Sequence, residues 1–536
     1  PPRYRNGHTF HASWDYFPAQ SSRFPRVKND RNLLFGASAP KVQWRSDKGL
    51  IDGKKLAQKH GFQDDFCVKK TQYLKGLHQL FGRAKKSPAK TLLQRRDEIR
   101  NRAPGQLALL FSEAVEPEKI KGCPGSRERY YSADVTFWAM LGQVFRSGGL
   151  RDAVREVQGH VCLRRGDENL SNSTGSYSDA RKRLPEESLD QVHERVCQKM
   201  RAPDPFLRGR RIMVVDSTGV QIEDTKENQA EYPQPSNQKP GCGFPVIQLT
   251  ALMDLSKGSL EHYCESPLEA DEGGMFELQL QERLQAGDVL LADRGFCSYA
   301  RLASLKEKGI DAIMRLGASR KRENKSRLDE CVQWKRPAKT HCPAHLQEEE
   351  LQRLPESLQV RYVRKIIQKD GFRDQEICLV TTLMDADIDE LFAIYFRRWD
   401  IELGFDDIKT SMSMDFIPVK SPRMARKMIK VHLIAYNLIR KTMLEASRKT
   451  DTPSNRISFK GSLDAILRFA AQMQNLALRK TQGLLQRLFE VIGLETVGLR
   501  PNRIEPRVRK RRPKPFDLMT RPRSVMRDQI IEAQVP

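Results

Sequence analysis

Residues 391–415 constrain this chain most, because they have the pattern of one long helix with an unusual polar face. Apolar residues recur close to helical spacing, and no proline interrupts them; they are Ile394, Ile401, Phe405 and Ile408. The polar face carries Tyr395, Arg398, Glu402 and Lys409. At about 100° per residue these four positions fall within an arc of about 60°, in a row about 20 Å long.

A carboxylate between two cations and a phenol is suited to a phosphate group bound through a metal ion. Glu402 would hold the metal, while the cations and the phenol would hold a phosphodiester. The alternative is a solvated helix face on which Arg398 and Glu402 form an ordinary ion pair. Taken alone, that pair fits the alternative better, but the spacing of all four residues is more specific.

Upstream of this helix the pattern changes to strands, and two aspartates stand on them. Residues 211–224 form an apolar strand with Asp216 at its middle, and residues 288–296 contain a short apolar strand that ends at Asp293. Between them lie two further strand patterns and a helical one, at residues 245–258, 259–267 and 273–285. An aspartate inside an apolar strand is costly unless it is paired or binds a metal ion.

Three antiparallel strands, a helix and a fourth strand predict an α/β fold that resembles the ribonuclease-H-like (retroviral-integrase-like) architecture. In that fold the first and fourth strands are neighbours, so Asp216 and Asp293 would lie side by side. Each aspartate also has a simpler explanation: Asp216 could begin a turn with Ser217, and Asp293 could end its strand and pair with Arg294.

The spacing Tyr-x2-Arg-x3-Glu-x6-Lys resembles the motif of bacterial DDE transposases of the insertion sequence 4 family, in the subgroup named for these four residues. The strings Asp216-Ser217-Thr218 and Asp293-Arg294-Gly295-Phe296 resemble the sequences around that family's two aspartates. The resemblance implies three carboxylates that are both catalytic and metal-binding: Asp216, Asp293 and Glu402. It also implies that Tyr395, Arg398 and Lys409 bind the end of a DNA strand.

The reaction implied by this resemblance is in-line displacement at phosphorus with two Mg²⁺ ions, for which Mn²⁺ can substitute. Water would nick a transposon end, and the freed 3′-OH would then attack a target strand. No covalent protein–DNA intermediate is expected. Family members cut the second strand through a DNA hairpin, and the joining of two ends implies a homodimer on paired ends of double-stranded DNA.

Asp293 and Glu402 are 109 positions apart, and the segment between them is rich in strand patterns. By resemblance, residues 298–389 form a β-rich insertion that covers the active site. Trp334 lies between Gln333 and Lys335 and is exposed by this pattern, which makes it a candidate to stack on a base flipped from the transposon end. The alternative is a core tryptophan of the inserted sheet.

The remaining DNA contacts are expected from basic residues around this core. Residues 131–205 are helical by pattern and compatible with a helix-turn-helix that binds the DNA end, although ordinary helical bundles share the pattern. Phosphate could be contacted there by Arg181, Lys182 and Arg183. Near the core, the candidates are Arg294, Lys420 and Arg423.

Charge points to a polyanionic partner, with nucleic acid favoured over a membrane. The 536 residues include 93 Lys+Arg and 68 Asp+Glu, for a net charge of +25. Residues 1–100 hold 22 Lys/Arg and 8 Asp/Glu, and the stretch from Arg500 to Arg527 holds 11 and 2. That tail also contains five prolines, so we expect an extended, flexible clamp on the DNA backbone, or else a solubilising tail.

The predicted organisation has two discontinuous core segments and flanking regions. They are a basic, partly disordered region (1–130), the helical region (131–205), the catalytic core (206–297 and 390–445), the β-rich insertion (298–389), C-terminal helices (446–498) and the basic tail (499–536). No signal peptide or transmembrane run is seen, and the ten cysteines are scattered. We therefore expect a bacterial cytoplasmic, nucleoid-associated protein.

The sequence thus predicts a transposase that binds the terminal inverted repeats of an insertion sequence and performs cut-and-paste transposition. One alternative is a transposase-derived DNA-binding protein without cleavage activity, against which the three intact carboxylates count. Another is a ribonuclease-H-like nuclease that cuts without joining, against which the long insertion and basic tail count.

Overall fold

The computed structural model of the chain describes residues 107–123, 130–165, 171–201, 207–317, 327–338, 346–367, 375–473, 478–498 and 518–533. All of them belong to one compact unit, which comprises Ala84–Gly498 and Ile504–Pro536. The expectations for the basic region before residue 107 and for the tail between residues 499 and 517 fall outside the described part of the chain.

A mixed sheet of nine strands forms the centre of the described structure. The strands are β1 (Ile212–Ile222), β2 (Val246–Asp254), β3 (Ser259–Pro267), β4 (Val289–Ala292), β5 (Asp311–Arg315), β6 (Asp329–Lys335), β7 (Ser357–Ile367), β8 (Gln375–Thr381) and β9 (Phe416–Ile417). Their order is β3-β2-β1-β4-β5-β8-β7-β6, and β9 pairs with the C-terminal end of β1. The predicted antiparallel meander and the adjacency of the first and fourth strands are confirmed.

The sheet is buried on both faces because its central strands are apolar at consecutive positions. Residues of β1 alternate between two cores: Val214 belongs to the larger one and Val215 to the smaller. The smaller core contains α8 (Tyr299–Glu307) and a π-helical turn, Phe276–Leu280, that follows the short α7 (Glu272–Met275). The remaining large helices lie on the face of the larger core.

The helices on the face of the larger core pack around α12 (Pro422–Thr450), a helix of 29 residues that begins with proline in its first turn. It packs against N-terminal helices, C-terminal helices and β3. The N-terminal helices are α1 (Ala108–Val115), α2 (Ala133–Phe145), α3 (Leu150–Arg165), α4 (Gly175–Arg183) and α5 (Glu186–Gln198). The others are α6 (Lys226–Glu231), α9 (Glu348–Arg353), α10 (Ile388–Phe396), α11 (Trp399–Asp406), α13 (Phe459–Met473) and α14 (Leu478–Leu494).

The strands of the expected insertion join the central sheet. β5 is parallel to β4 and continues the core beyond residue 297, where the insertion was expected to begin. β8 pairs with β5, and β7 and β6 follow in antiparallel order. The edge of β5 is thus covered by its own chain, which removes an exposed strand edge.

The described part of the basic tail differs from the extended chain that was expected. It contains α15 (Arg523–Glu532), a helix that starts directly after Pro522 and is exposed along most of its length. Proline before the first turn leaves the following residues free to be helical. Among the described residues, no helix is long and apolar enough to cross a membrane.

Candidate active site

Asp216 and Asp293 lie on neighbouring parallel strands and on the same face of the sheet. Val214 of β1 is paired with Leu291 of β4, so two residues further along, Asp216 lies level with Asp293. Val214 and Leu291 both belong to the larger core, and alternation places the two aspartates on that same face. The expectation that these two residues come together is therefore confirmed.

The helix that faces them is interrupted, and the prediction of one continuous helix over residues 391–415 is wrong. α10 ends at Phe396 and α11 begins at Trp399. Across this break the amides of Arg397 and Arg398 bond to carbonyls three residues earlier, at 2.9 and 3.0 Å, as in a tighter 3₁₀ turn. No proline or glycine marks the break, so the tertiary contacts of Arg398 account for it.

The guanidinium group of Arg398 joins two of the three carboxylates. One terminal nitrogen lies 3.3 Å from Asp216 Oδ2, and the other donates to Glu402 Oε1 at 2.9 Å. The Arg398 side chain is 9% exposed and lies over the ring of Trp399, 4.9 Å from its centroid. Such a buried cation is strongly held by two carboxylates, so the ion pair of Arg398 and Glu402 is more than a solvated surface contact.

The pKa values of the site follow from this crowding. Burial raises the pKa of Asp216 to about 7; the charges of Glu402 and Asp293 add to that effect, and Arg398 opposes it. Burial also raises the pKa of Tyr395 to about 12, although the charges of Arg398 and Arg315 oppose it. The three carboxylates therefore act on one another electrostatically, and the Tyr395 phenol stays protonated at neutral pH.

Asp293 has a second role as the cap of a short turn. It follows β4, and its Oδ1 accepts a hydrogen bond from the amide of Gly295 at 2.7 Å, so that residues Arg294–Phe296 form a 3₁₀ turn. The alternative in which Asp293 ends its strand is thus correct in part, and it is compatible with a ligand role because the second carboxylate oxygen remains available.

Lys409 lies on a π-helical turn, Asp407–Ser411, that directly follows α11. A π turn advances the chain by more residues per turn than an α-helix, so Lys409 does not keep the ideal register assumed for the row. The lysine is half-buried. Burial lowers its pKa, whereas the negative charges of Asp406 and Asp415 act to raise it.

Arg315 belongs to the same surface and was missed by the sequence analysis. β5 pairs Met314 with Ala292, so Arg315 at the end of β5 lies level with Asp293. Its face is that of Ile313, which belongs to the larger core, and its charge opposes the raised pKa of Tyr395. The signal in the sequence was a basic residue at the end of a buried strand, next to the strand that Asp293 follows.

Three further expected DNA-binding residues are exposed near this region. Arg294 lies in the turn capped by Asp293, Lys420 precedes α12, and Arg423 lies in its first turn. Arg423 is 63% exposed and stands 3.6 Å from Glu186, so its charge is only loosely engaged.

Two expected contacts are contradicted by burial. Trp334 is 4% exposed, and its indole nitrogen donates to the hydroxyl of Tyr362 at 2.6 Å within the smaller core. The flanking Gln333 and Lys335 point outward, so strand alternation turns Trp334 inward and the core alternative is correct. Arg181 is also buried, with its guanidinium 5.2 Å from the ring centroid of Tyr177, whereas Lys182 and Arg183 are exposed.

The donor set fits a hard divalent cation, because all three side chains are carboxylates. In the described part of the chain, no group of three or more His, Cys, Asp or Glu side chains is close enough to hold a metal ion. The guanidinium of Arg398 stands between Asp216 and Glu402 and supplies the positive charge that these carboxylates need. A metal cation bound at this place would likewise offset the repulsion between the carboxylates.

Comparison with known proteins links this chain to DNA transposases. Residues 207–438 match the family described as transposase DDE domain, a span that runs from shortly before β1 into α12 and includes all three carboxylates. This part of the chain thus has the sequence of a transposase DDE domain, a domain of enzymes that use divalent metal ions.

The sequence is also similar to a transposase of an insertion sequence element. It is 24% identical over 444 residues to the transposase InsG for insertion sequence element IS4 of Escherichia coli (strain K12), which covers 79% of this chain and 95% of the relative. A solved structure of the piggyBac transposase synaptic complex with hairpin DNA is also similar, with a TM-score of 0.38 and 10% identity over 73% of this chain and 84% of that chain.

Proposed function

We propose that this transposase cuts DNA at the terminal inverted repeats of an insertion sequence and joins the freed 3′ ends to target DNA, with Asp216, Asp293 and Glu402 as the catalytic carboxylates. The observation that carries the proposal is that Asp216 on β1 lies level with Asp293 after β4, while Arg398 joins Asp216 to Glu402 on α11.

The core that supports this chemistry is ribonuclease-H-like. Its first five strands follow the order β3-β2-β1-β4-β5, with β2 antiparallel to β1 and with β4 and β5 parallel to it. The carboxylates stand on the two central strands and on the helix packed over them. Ligands commonly bind where the strand order reverses direction, beside the central strands of an open α/β sheet.

The three carboxylates would hold Mg²⁺, with two ions in the active complex and Mn²⁺ as a substitute. When bound, these ions lower the pKa of water and stabilise charge on the oxygens of a phosphodiester. Within the chain, burial disfavours the charged form of Asp216, and Arg398 offsets only part of this effect. A bound metal ion would stabilise the charged form further.

The residues beside the carboxylates would hold the DNA strand. Arg398, once released from one carboxylate, can donate in a bidentate way to a phosphate, and Lys409 and Arg315 supply further positive charge. Tyr395 has a pKa of about 12, so its phenol donates a hydrogen bond and is not a nucleophile at neutral pH. We therefore expect no covalent protein–DNA intermediate.

The wider assembly follows from the need to join two ends. We propose a homodimer on paired transposon ends, with second-strand cleavage through a DNA hairpin. The DNA would be bound by residues 131–205, by the exposed Arg294, Lys420 and Arg423, and by the basic tail. Such a protein would act in the bacterial cytoplasm, in association with the nucleoid.

The experiment that tests this function is cleavage of a labelled linear duplex that carries the ends of the element encoding the chain. The wild type and Glu402→Gln are compared in Mg²⁺, with Glu390→Gln, an exposed residue on α10, as the matched control. Glutamine keeps the size of the side chain and removes the charge that a metal ion needs. We expect nicking at the element end and joined products from the wild type and the control, and a loss of at least about 10³-fold in the variant.

Other outcomes would identify other proteins. Tight binding without cleavage by the wild type would indicate a DNA-binding protein derived from a transposase. Cleavage without joined products would indicate a nuclease. Cleavage that persists in Glu402→Gln would exclude Glu402 as the third carboxylate.

A further inference from the structure

Arg301, on α8, is a buried charge close to the turn that carries Asp293. It is 3% exposed and lies in the first turn of a helix whose residues are mostly buried. A buried guanidinium is costly unless its donors are bonded and its charge is paired. Its partners therefore indicate what the burial achieves.

The partners of Arg301 come from two different segments. One terminal nitrogen donates to the carbonyl of Phe296, and the other lies 2.8 Å from Oε1 of Glu277 on the π-helical turn. The planar group also lies beside two rings, 5.4 Å from the centroid of Phe296 and 5.9 Å from that of Phe276. Both rings are buried and meet edge to face.

The space for this arrangement depends on Gly273 in α7. A Cβ atom at that position would lie 2.3 Å from a terminal nitrogen of Arg301, so any larger residue would displace the guanidinium. The α7 segment, the π-helical turn and α8 therefore converge on Arg301, which is the cation that links them.

Phe296 is the last residue of the turn that Asp293 begins. At the start of the turn, Asp293 accepts from the amide of Gly295; at its end, Arg301 holds the carbonyl of Phe296. Both ends of a four-residue turn are thus fixed. The Asp293 carboxylate cannot rotate freely, because its cap requires the turn that Arg301 closes.

A purely structural explanation of Arg301 is weak. A buried ion pair seldom stabilises a fold more than apolar residues of similar volume would, since its desolvation offsets its attraction. The surrounding core is rich in leucine, alanine and phenylalanine, which could have filled the same space. A directional donor to the Phe296 carbonyl is the feature that an apolar residue could not provide.

We propose that Arg301 is a positioning residue, which with Glu277 holds the Asp293 turn in the conformation that binds a divalent cation. This inference rests on the proposed function of Asp293. Partners that orient metal ligands commonly contribute about 10-fold to 100-fold in metal affinity or activity.

The test compares Mn²⁺ binding by the full-length wild type, Arg301→Gln and Arg211→Gln, measured by electron paramagnetic resonance of the free ion. Arg211 is the matched control because it also forms an ion pair, with Asp288 at 2.6 Å. These two residues directly precede β1 and β4, at the ends of the strands that lie opposite Asp293. Asp293→Asn defines the loss expected when a ligand itself is removed. DNA binding without metal and thermal unfolding are recorded for every variant.

We expect Arg301→Gln to weaken Mn²⁺ binding about 10-fold to 100-fold, with DNA binding unchanged and with cleavage partly restored at high Mn²⁺. Arg211→Gln should bind Mn²⁺ as the wild type does. Equal Mn²⁺ affinity in Arg301→Gln and the wild type would overturn the inference, as would an equal loss in Arg211→Gln.

If Arg301→Gln does not fold, Gly273→Ala takes its place, because its Cβ atom would displace the guanidinium and disturb the bond to Phe296. Unchanged Mn²⁺ affinity in that variant would then refute the positioning role. A wild type that binds no Mn²⁺, or an Asp293→Asn variant that binds it as well as the wild type, would instead remove the proposed metal site, and the role of Arg301 with it.

Discussion

The carboxyl group of Asp216 is held where its own charge is unfavourable, which gives the metal-free protein a specific pH dependence. Burial raises its pKa from 3.8 to about 7. Since the folded pKa lies above the unfolded one, the stabilising effect of the protonated carboxyl is complete below pH 3.8 and is lost as the pH rises through about 7. The loss is on the order of 4 kcal/mol at most.

Asparagine resembles the protonated carboxyl group, so Asp216→Asn should raise the melting temperature at pH 8, where the wild type carries the charge. At pH 5 the difference in melting temperature should be smaller, because part of the stabilising effect of the protonated carboxyl is still present. Melting is followed in a chelating buffer, with the 60% exposed Asp528→Asn as the control. A constant difference between pH 5 and pH 8 would contradict the raised pKa.

Trp334 is the second residue for which burial leads to a clear expectation. Trp334→Ala should lower the free energy of unfolding by about 3–5 kcal/mol, as for other large aromatic residues in cores. Trp334→Phe, which keeps a ring and removes the donor to Tyr362, should cost only about 1–2 kcal/mol. Urea unfolding gives both values.

A role of Trp334 in base stacking predicts that both variants bind the DNA end more weakly, whereas a position in the core predicts no change in DNA binding. Under conditions where both variants are folded, their affinity for an element end should equal that of the wild type. Unchanged stability together with weaker binding to the DNA end would contradict the core position of Trp334 and favour base stacking.

At the level of elements, local patterns predicted what depends on local sequence. The strands that carry Asp216 and Asp293 were predictable, because each is a continuous apolar run around a polar residue. The break between α10 and α11 was not, since no helix-breaking residue marks it and Arg398 is drawn to Asp216 from 182 positions earlier in the chain. The pairing of β8 with β5 likewise depends on a partner that periodicity cannot identify.

The contact between α4 and α12 depends on a buried lysine. Lys427 of α12 is fully buried and donates to the carbonyls of Arg181 and Lys182, at 3.0 and 2.8 Å, at the C-terminal end of α4. A cation at this end of a helix bonds the terminal carbonyls and offsets the helix dipole.

Lys427→Met should therefore cost about 1–3 kcal/mol in the free energy of unfolding and loosen the end of α4. If the N-terminal helices bind the DNA end, the variant should also bind that end more weakly while its Mn²⁺ affinity remains that of the wild type. Lys430→Met, which removes a more exposed pair with Asp190, is the control. Weaker Mn²⁺ binding in Lys427→Met would contradict the separation of these roles.

For the whole molecule, the question is whether the net charge of +25 acts as a diffuse field or through particular segments. Each phosphate that a cation neutralises releases a counterion, so the logarithm of DNA affinity falls with the logarithm of salt concentration by about 0.9 per contact. A clamp would therefore contribute to this slope residue by residue. A solubilising tail would change it no more than any other surface charges do.

The two possibilities separate in a full-length variant in which Arg509, Lys510, Arg511 and Arg512 become glutamine. If these residues contact the DNA backbone, the salt slope should decrease by up to about 4 and affinity should fall for any DNA sequence. The control neutralises four exposed cations elsewhere, each already paired with an acid: Lys119, Lys365, Lys460 and Arg487. Both variants lose the same net charge, so equal slopes in the two would show that only the overall field matters, whereas a smaller slope in the tail variant alone would place the contacts in residues 509–512.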